Sequence, residues 1–299
     1  MSEYVYLNEQ FIKADDAAVS VFDAGLLHGA GLFETMRSYG GVLFRLDDHL
    51  ARLEASAEVL SMFQLGEPAR RALGRHLTEL LARNGLTDAR VRLSVTAGNL
   101  RRPGGDGHAQ PTVFATAAAI EPYPAEWYEK GMTVLLSVHK QSRLDPTCGF
   151  KTLSYLPRLL SLREAQARKC GEALWFTHEN LLAEGAISNV FIVRDEVIKT
   201  PPIDTPVLPG ITRKVVLELA QANGLSVREV PLTINDLLDA DEVFLTNSVM
   251  EVMPVCRVER RPIGSEKPGP ITRRLIQLYR ERVVEECKPH APSDAAVSD

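Results

Sequence analysis

The sequence predicts a mixed α/β (α+β) protein of two domains, the first with a few strands and two helices and the second a strand-rich barrel or curled sheet with packed helices. Three observations support this prediction. The chain has 299 residues, of which 45% are hydrophobic, and this is enough for two domains of ordinary size. Short strand-like runs alternate with amphipathic helical segments. Two prolines interrupt any regular element within residues 120–126, so we expect the interdomain linker there.

The N-terminal domain, residues 1–119, is predicted to combine a few strands with two helices. One helical pattern begins near Asp48, and a second covers residues 67–84 and ends at Gly85. A glycine-containing loop at residues 99–110 separates the last two strands. Strand-like apolar runs lie at residues 4–7, 19–22, 90–96 and 112–119.

The C-terminal domain, residues 127–287, contains more strands than a regular alternating parallel fold would need, which favours a barrel or a curled sheet. Residues 288–299 are small and polar, and we expect this tail to be disordered. Helices are predicted near residues 157–169, 211–223 and 269–287. Strands are predicted at residues 132–138, 172–177, 189–193, 225–230, 242–245 and 253–258.

Charge and cysteine content exclude several classes of function. The 39 acidic and 34 basic residues give a formal net charge of −5, which argues against a nucleic-acid or anionic-lipid partner and favours small-molecule chemistry. No apolar stretch approaches the roughly 20 residues needed to span a bilayer. The four cysteines are too far apart for a zinc site, so no metal is expected, and they indicate reduced thiols and a cytoplasmic protein.

Lys151 is the first candidate for chemistry. It lies in an irregular stretch, Asp145–Pro157, between a predicted strand and a predicted helix, and such a loop can direct one side chain into a cleft. Most lysines are solvated surface residues, so a chemical role for Lys151 requires suitable partners elsewhere in the chain.

Three further segments supply groups of suitable chemistry. Glu184 precedes small residues and the apolar strand that begins at Asn189, which fits a carboxylate at a strand edge facing a pocket. Gly210 precedes a helix whose first amides, at Ile211 and Thr212, suit a phosphate group or serve only as a helix start. Arg52, one turn into its helix, either faces the same cleft or pairs with Asp48.

These segments occur in a recognisable order, which also includes the block from Asp23 to Arg37 and the block from Leu245 to Val255. In this arrangement the chain resembles the class IV (fold type IV) pyridoxal-phosphate enzymes over residues 4–285. That family includes branched-chain aminotransferases, D-amino acid aminotransferases and aminodeoxychorismate lyases. The resemblance implies a fold with a small N-terminal α/β domain and a larger barrel-like domain, with the active site between them. It also implies a homodimer in which the partner's N-terminal domain closes the pocket.

The resemblance further implies pyridoxal 5'-phosphate as cofactor and a role for each matching residue. Lys151 would be the Schiff-base lysine and the group that moves the proton during catalysis. Glu184 would hold the pyridine nitrogen, supported by Asn189, and Tyr155 would reach the phenolic oxygen of the ring. The phosphate would be bound by the remaining members of the set, which are Arg52, Ile211, Thr212 and Ser248.

The family leaves the reaction and the substrate open. A ping-pong transamination between a branched-chain-like or D-amino acid and a 2-keto acid is one possibility, and release of 4-aminobenzoate and pyruvate by a lyase is another. A binding protein without turnover is disfavoured because Lys151, Glu184 and Arg52 are all present. Branched-chain enzymes usually carry a tyrosine where this chain has His28 and one more residue between the lysine and its tyrosine.

The residue that would bind the substrate carboxylate is also open. D-amino acid enzymes have an arginine in a Thr-Arg-Gly strand end, and this chain has Ala97 at that position. His28 is expected either to pack behind the pocket or to touch the substrate. The candidate carboxylate ligands are the guanidinium groups of Arg37, Arg92, Arg101 and Arg102 and the amides near Ser248 and Val249. Phe33 and Arg37 belong to a block, residues 33–37, that resembles the lyase branch.

Overall fold

The computed structural model of the chain describes residues 4–101 and 110–288. Its first half forms a six-stranded antiparallel sheet in the order β2-β1-β6-β5-β3-β4. The strands are β1 (Tyr4–Leu7), β2 (Gln10–Lys13), β3 (Gly31–Tyr39), β4 (Val42–Leu43), β5 (Ala89–Thr96) and β6 (Val113–Ala119). The accompanying helices are α1 (Ala24–His28), α2 (Leu46–Val59) and α3 (Glu67–Arg83), with a 3-10 turn at Ala14–Asp16.

The alternation of side chains along β5 gives the first sheet two different faces. Val91 and Leu93 are fully buried and pack against leucines of α2 and α3, including Leu53 and Leu77, which form the core of this half. The intervening residues of β5 point to the opposite face. That face includes arginines and is one wall of the cavity described below.

The second half forms a nine-stranded mixed sheet in the order β12-β11-β10-β13-β14-β7-β8-β9, with β15 paired to β14. Its first strands are β7 (Met132–Gln141), β8 (Glu172–Thr177), β9 (Leu182–Gly185), β10 (Asn189–Arg194) and β11 (Val197–Thr200). The others are β12 (Val227–Glu229), β13 (Glu242–Asn247), β14 (Glu251–Val258) and β15 (Arg261–Pro262). The helices are α4 (Ala125–Lys130), α5 (Leu156–Ala167), α6 (Ile211–Ala222), α7 (Ile234–Leu238) and α8 (Pro270–Glu286).

The second sheet curls because a tight turn joins β9, the strand at the end of the sheet order, to β10 and brings the two strands close together. The backbone amide of Gly185 donates to the carbonyl of Ser188 at 2.7 Å across this turn. Helices α6 and α8 pack on the outside through buried residues such as Val216 and Leu275, against Phe191 and Phe244 of the sheet. No helix within residues 4–101 and 110–288 is long and apolar enough to cross a bilayer.

The loop that carries Lys151 is hydrogen-bonded to the first sheet. The amide of Phe33 donates to the Lys151 carbonyl at 2.9 Å, and the amide of Leu153 donates to the Gly31 carbonyl at 2.9 Å. Thr152 therefore forms an isolated antiparallel bridge with Leu32 of β3. This pairing fixes Lys151 at the junction of the two sheets.

The mixed α/β fold class is confirmed, and most predicted elements are present within a few residues. One predicted strand is wrong, since residues 19–22 form a loop and a turn in which Val19 and Val21 are exposed. The sequence did not predict six of the strands or three short helices, namely β2, β3, β4, β9, β11, β15, α1, α4 and α7. The predicted linker, residues 120–126, lies between β6 and β7 and overlaps the start of α4, and the domain boundaries stay a prediction. Residues 102–109 of the predicted loop and 289–299 of the predicted tail lie outside the described residues.

Candidate active site

A cavity of about 1080 Å³ lies between the first sheet, the lysine loop and the curled second sheet. All of the residues predicted to bind a cofactor line this cavity, namely Arg52, Lys151, Tyr155, Glu184, Asn189, Ile211, Thr212 and Ser248. Three of the five residues predicted to bind substrate, Phe33, Arg92 and Val249, also line it, whereas His28 and Arg37 do not. The structure thus brings together side chains that are up to 216 positions apart in the sequence.

The amine of Lys151 is buried in this cavity and lies over aromatic rings. Its Nζ is 4.5 Å from the centroid of the Phe33 ring and 5.6 Å from that of Tyr155. Burial, reinforced by the positive charge of Arg52, lowers the pKa of Lys151 to about 8, although Glu34 acts in the opposite direction. A substantial fraction of this amine is therefore neutral, and hence nucleophilic, near physiological pH.

Tyr155 immediately precedes α5 and faces Lys151. Its ring contacts Phe33 edge to face at 5.1 Å between centroids, and its hydroxyl donates to the Ala186 carbonyl at 2.8 Å. Burial raises the pKa of Tyr155, so its hydroxyl is neutral. The hydroxyl oxygen keeps its acceptor capacity toward the cavity.

Glu184, at the end of β9, presents a carboxylate that is held by N–H donors on both oxygens. Oε1 accepts from Arg158 at 2.6 Å and from Gln141 at 3.0 Å. Oε2 accepts from the backbone amide of Leu208 at 3.0 Å and from Asn189 at 3.4 Å. These donors stabilise the negative charge of a carboxylate that is only 5% exposed.

The N-terminus of α6 forms a concave corner of the cavity. Gly210 precedes the helix, and a Cβ at this position would lie 1.9 Å from Oδ1 of Asn189, so only glycine allows Asn189 to pack here. Asn189 also donates to the Leu208 carbonyl at 2.9 Å. The amides of Ile211 and Thr212 belong to the first turn of a twelve-residue helix, where backbone N–H groups lack intrahelical partners and attract anions.

A buried network connects this corner to the first sheet. Arg52 donates from Nη1 to the Pro209 carbonyl at 2.9 Å and from Nε to Glu34 at 2.8 Å. The alternative of an Arg52–Asp48 pair is wrong, because Arg52 faces the cavity and its carboxylate partner is Glu34. His49 Nδ1 lies 2.7 Å from the same carboxylate, and Ser248 Oγ lies 3.4 Å from His49 Nε2.

Burial and neighbouring groups determine the protonation states of Glu34 and His49 in this network. Burial opposes the ionisation of Glu34, but Arg52 and His49 outweigh it and lower the pKa of Glu34 to about 2. Burial lowers the pKa of His49 despite the adjacent Glu34. The imidazole is therefore neutral, with Nδ1–H donating to Glu34 and Nε2 free to accept from Ser248.

Arg92 is the predicted carboxylate ligand that does reach the cavity. Its guanidinium lies 3.7 Å from the centroid of the Phe33 ring, and within the described residues no carboxylate pairs with it. Burial lowers the pKa of Arg92 while leaving it a cation. Arg90, two residues earlier on the same face of β5, also lines the cavity.

The structure places the other substrate candidates elsewhere. Arg37 does not line the cavity, and it donates to the Val249 carbonyl at 2.9 Å and pairs with Glu251 at 3.2 Å. His28 is exposed at the C-terminus of α1 and does not line the cavity. Arg101 is exposed and does not line the cavity, and its guanidinium lies 3.7 Å from the centroid of the Phe22 ring. Arg102 is not among the described residues.

Several residues of the site were not identified from the sequence, namely Glu34, His49, Arg90, Gln141 and Arg158. Glu34 lies next to Phe33 and His49 lies between Asp48 and Arg52, but nothing in the local sequence indicates that these two side chains meet. Arg158 lies seven residues after Lys151, at helical spacing from Tyr155, and this spacing was the available signal. Among residues 4–101 and 110–288, no group of three or more His, Cys, Asp or Glu side chains could hold a metal ion.

Comparison with known proteins places this geometry in a family. The amino-transferase class IV family matches residues 31–258. A putative branched-chain-amino-acid aminotransferase of Methanocaldococcus jannaschii is 37% identical over 93% of this chain and 95% of its own length. The D-alanine aminotransferase of Bacillus licheniformis is 33% identical over 94% of this chain and 98% of its own length. The aminodeoxychorismate lyase of Bacillus subtilis is 33% identical over 93% of this chain and 94% of its own length.

Solved structures agree with the sequence relatives. The branched-chain amino acid aminotransferase of Escherichia coli superimposes with a TM-score of 0.88 at 28% identity, over 98% of both chains. A T.th. branched-chain amino acid aminotransferase with pyridoxamine 5'-phosphate gives a TM-score of 0.87 at 30% identity, over 97% of this chain and 96% of that one. The cavity with its buried lysine and these matches along nearly the whole length establish that the chain is an enzyme of the class IV aminotransferase family.

Proposed function

We propose that the enzyme uses pyridoxal 5'-phosphate, bound through Lys151, to move the amino group of an amino acid with an apolar side chain to a 2-keto acid. The observation that carries this proposal is the buried amine of Lys151, whose pKa is lowered to about 8 inside a cavity that also contains Glu184. The cavity walls beside Lys151 are formed largely by apolar side chains such as Phe33, Phe150 and Leu153, which suits an apolar substrate.

The donors in the cavity fit the three functional parts of this cofactor. A phosphate fits the α6 N-terminus, where the amides of Ile211 and Thr212 meet Arg52 and Ser248. A pyridine nitrogen fits Glu184, since an ionised carboxylate favours a protonated ring nitrogen. An aldehyde fits Lys151, whose neutral amine is the nucleophile such a carbon requires.

When bound, the cofactor supplies an electron-poor ring that stabilises negative charge developing at the substrate α-carbon. Lys151 then removes the α-proton and returns it, and it can act as a base because its pKa is near the working pH. Phe33 and Tyr155 hold the lysine between them and exclude water from it. In a ping-pong cycle the same amine performs both halves of the transfer.

Arg92 is our proposed ligand for the substrate carboxylate, with the backbone near Ser248 and Val249 on the facing wall. It is a cation in the cavity without a carboxylate partner among the described residues, stacked on the ring that contacts Lys151. We expect Arg92→Met to raise the KM for the amino acid by roughly tenfold to a hundredfold with a smaller change in kcat, because charged hydrogen bonds contribute about 1.5–3 kcal/mol. Steady-state kinetics check this, with Arg83→Met as the control because Arg83 is an exposed arginine that pairs with Glu79 outside the cavity, and an unchanged KM contradicts it.

A lyase reaction that releases 4-aminobenzoate and pyruvate is the second candidate. It is favoured by the similarity to the aminodeoxychorismate lyase of Bacillus subtilis and by the presence of two arginines, Arg90 and Arg92, on one cavity wall. Two guanidinium groups suit a substrate with two carboxylates. A binding protein without turnover does not fit, since Lys151, Glu184 and Arg52 all line one cavity in a member of an enzyme family.

We also propose that the active form is a homodimer in the cytoplasm. Leucines 156, 159 and 160 of α5 are between 40% and 61% exposed, and two of them line the mouth of the cavity, which suits cover by a second copy. Leu26 and Leu27 of α1 are also exposed, so contact through α1 would bring His28 to the partner's cavity. Light scattering tests the dimer, and the free thiols of all four cysteines support a reducing compartment.

Two experiments test the proposed function. Borohydride reduction followed by peptide mapping should place the reduced cofactor on Lys151, and a label on any other lysine overturns the assignment. The holoenzyme should then be mixed separately with L-leucine, D-alanine and aminodeoxychorismate. Conversion of the bound cofactor to its amine form with an amino acid supports transamination, whereas release of 4-aminobenzoate identifies the lyase.

A further inference from the structure

Arg158, near the N-terminus of α5, is a cation that acts directly on the carboxylate of Glu184. One guanidinium nitrogen donates to Oε1 of Glu184 at 2.6 Å, and the other donates to the Gly185 carbonyl at 2.8 Å. The guanidinium also lies over the ring of Trp175, 4.7 Å from its centroid. These three contacts fix the position of Arg158, which lines the same cavity as Lys151.

The pair is ionic and largely withdrawn from water. Burial favours the neutral form of Arg158, but Glu184 outweighs burial and raises the pKa of Arg158, so the guanidinium is charged. The exposed fraction is 18% for Arg158 and 5% for Glu184. An ion pair so placed is screened less than one at the surface, and its influence on a third charge in the cavity is correspondingly large.

A ligand that binds Glu184 shares this carboxylate with Arg158. An ionised carboxylate has about four acceptor positions, and Arg158, Gln141, Leu208 and Asn189 already use them. The Asn189 contact is the longest at 3.4 Å, and the same Nδ2 group also donates to the Leu208 carbonyl at 2.9 Å. An incoming N–H donor therefore replaces Asn189 with least loss, and Arg158 remains bound.

We propose that Arg158 is a positioning residue that lowers the proton affinity of the cofactor's pyridine nitrogen by sharing the Glu184 carboxylate with it. This inference rests on the proposed function and concerns the same site. A cation beside the carboxylate weakens the stabilisation that the carboxylate gives to a protonated ring nitrogen, and it also repels that proton directly. The ring nitrogen therefore loses its proton at a lower pH than it would beside Glu184 alone.

The proposed role and a purely structural role of Arg158 predict opposite shifts in the pH at which the ring nitrogen loses its proton. If Arg158 only kept Glu184 in place, its removal would misplace the carboxylate and the ring nitrogen would lose its proton at a lower pH. If Arg158 opposes protonation, removal of its charge makes the ring nitrogen keep its proton to a higher pH. The direction of the shift therefore separates the two roles.

The test is a pH titration of holoenzyme loaded with pyridoxal 5'-phosphate labelled with 15N in the ring, because protonated and unprotonated nitrogens have separate NMR shifts. Arg158→Gln keeps an amide donor toward Glu184 and removes the charge, and Arg158→Lys keeps the charge. We expect Arg158→Gln to raise the pH at which the nitrogen loses its proton by about one unit or more. Arg158→Lys should stay near the wild type.

A double-mutant cycle shows whether Arg158 acts through Glu184. On a Glu184→Gln background, Arg158→Gln should shift the titration less, because the shared carboxylate is absent and only the direct repulsion between Arg158 and the proton remains. Equal titrations for wild type and Arg158→Gln, or a downward shift, overturn the inference. Wild-type protein that takes up no pyridoxal phosphate overturns the proposed function and this inference with it. If Arg158→Gln does not fold, Arg158→Met carries the same expectation, and the Lys variant must still match the wild type.

Discussion

Two buried carboxylates, Glu34 and Glu184, each pair with an arginine at this cavity, but they face it in different ways. In the pair from the first sheet, Arg52 lines the cavity and Glu34 stands behind it. In the pair from the second sheet, Glu184 lines the cavity beside its partner Arg158. The two arginine–glutamate pairs therefore present a cation, Arg52, at one end of the site and a carboxylate, Glu184, at the other. Lys151 lines the same cavity, and the charges of Arg52, Glu34 and Glu184 all act on its pKa.

The largest expected effect comes from removing the amine of Lys151. Lys151→Ala should reduce turnover by about 10⁴-fold or more, because it removes a nucleophile and a general base at once. The measurement is kcat for the reconstituted variant, with circular dichroism to show that the fold persists. Lys130→Ala is the control, since Lys130 is an exposed surface lysine, and it should keep full activity. Substantial turnover by Lys151→Ala would contradict the assignment.

Glu184→Gln tests the carboxylate end of the site. The amide keeps the shape but cannot stabilise a protonated ring nitrogen as strongly, so we expect turnover to fall by about 100-fold while most cofactor is retained. Single-turnover kinetics and the cofactor content of the purified variant measure the two effects separately. If the rate is unchanged, or if cofactor is lost without a rate effect, Glu184 does not have the proposed role.

Arg52→Met tests the cationic end, where the opposite pattern is expected. Loss of a charged hydrogen-bond donor should raise the Kd for pyridoxal phosphate by roughly tenfold to a hundredfold, with a smaller effect on the rate at saturating cofactor. Glu34→Gln should act in the same direction but more weakly, because it only loosens Arg52 and His49. Arg45→Met is the control, since Arg45 pairs with Glu218 outside the cavity. Full cofactor retention by Arg52→Met would remove it from the phosphate site.

The smallest effect concerns pH. Capture of pyridoxal phosphate by the apoenzyme needs the neutral amine of Lys151, whose pKa is lowered to about 8 chiefly by burial and then by Arg52. The capture rate should therefore rise about tenfold per pH unit below pH 8 and level off above it. In Arg52→Met the midpoint should move upward, because a charge that lowers this pKa is gone. Stopped-flow absorbance measures both curves, and a midpoint near the ordinary value of about 10.4 in the wild type would contradict the placement of Lys151.

The sequence was sufficient for the fold class and for a set of residues that line one cavity, and it was insufficient where a residue's role depends on a distant partner. Helices α3 and α6 have clear periodicity and end signals, and Lys151 and Glu184 lie in ordered motifs. Residues 31–39 were not assigned to a strand because Glu34 is buried there, and a buried carboxylate breaks the alternation that identifies a strand. Val19 and Val21 are the opposite case, because they form an apolar run that resembles a strand although both side chains are exposed.

Long-range pairing also explains why the candidate arginines lie in different places. Arg37 and Arg92 lie on the same strand pair and have the same local character, yet Arg37 finds Glu251 and Arg92 finds no carboxylate within the described residues. Arg158 is in helix α5, and its partner Glu184 lies 26 positions away on strand β9. Local sequence patterns contain no information about such partners, because tertiary packing alone brings them together.

The contact from Arg37 to the Val249 carbonyl has a consequence for how substrate preference can change in this enzyme. Arg37 is outside the cavity but fixes the turn that carries Val249 on the cavity wall, and Tyr39 supports it by donating to Glu251 at 2.8 Å. A replacement in β3 can therefore displace a wall of the pocket without altering any residue that a substrate touches. Two enzymes with identical pocket linings can differ in selectivity through such a replacement, and redesign of this pocket should include residues behind its walls.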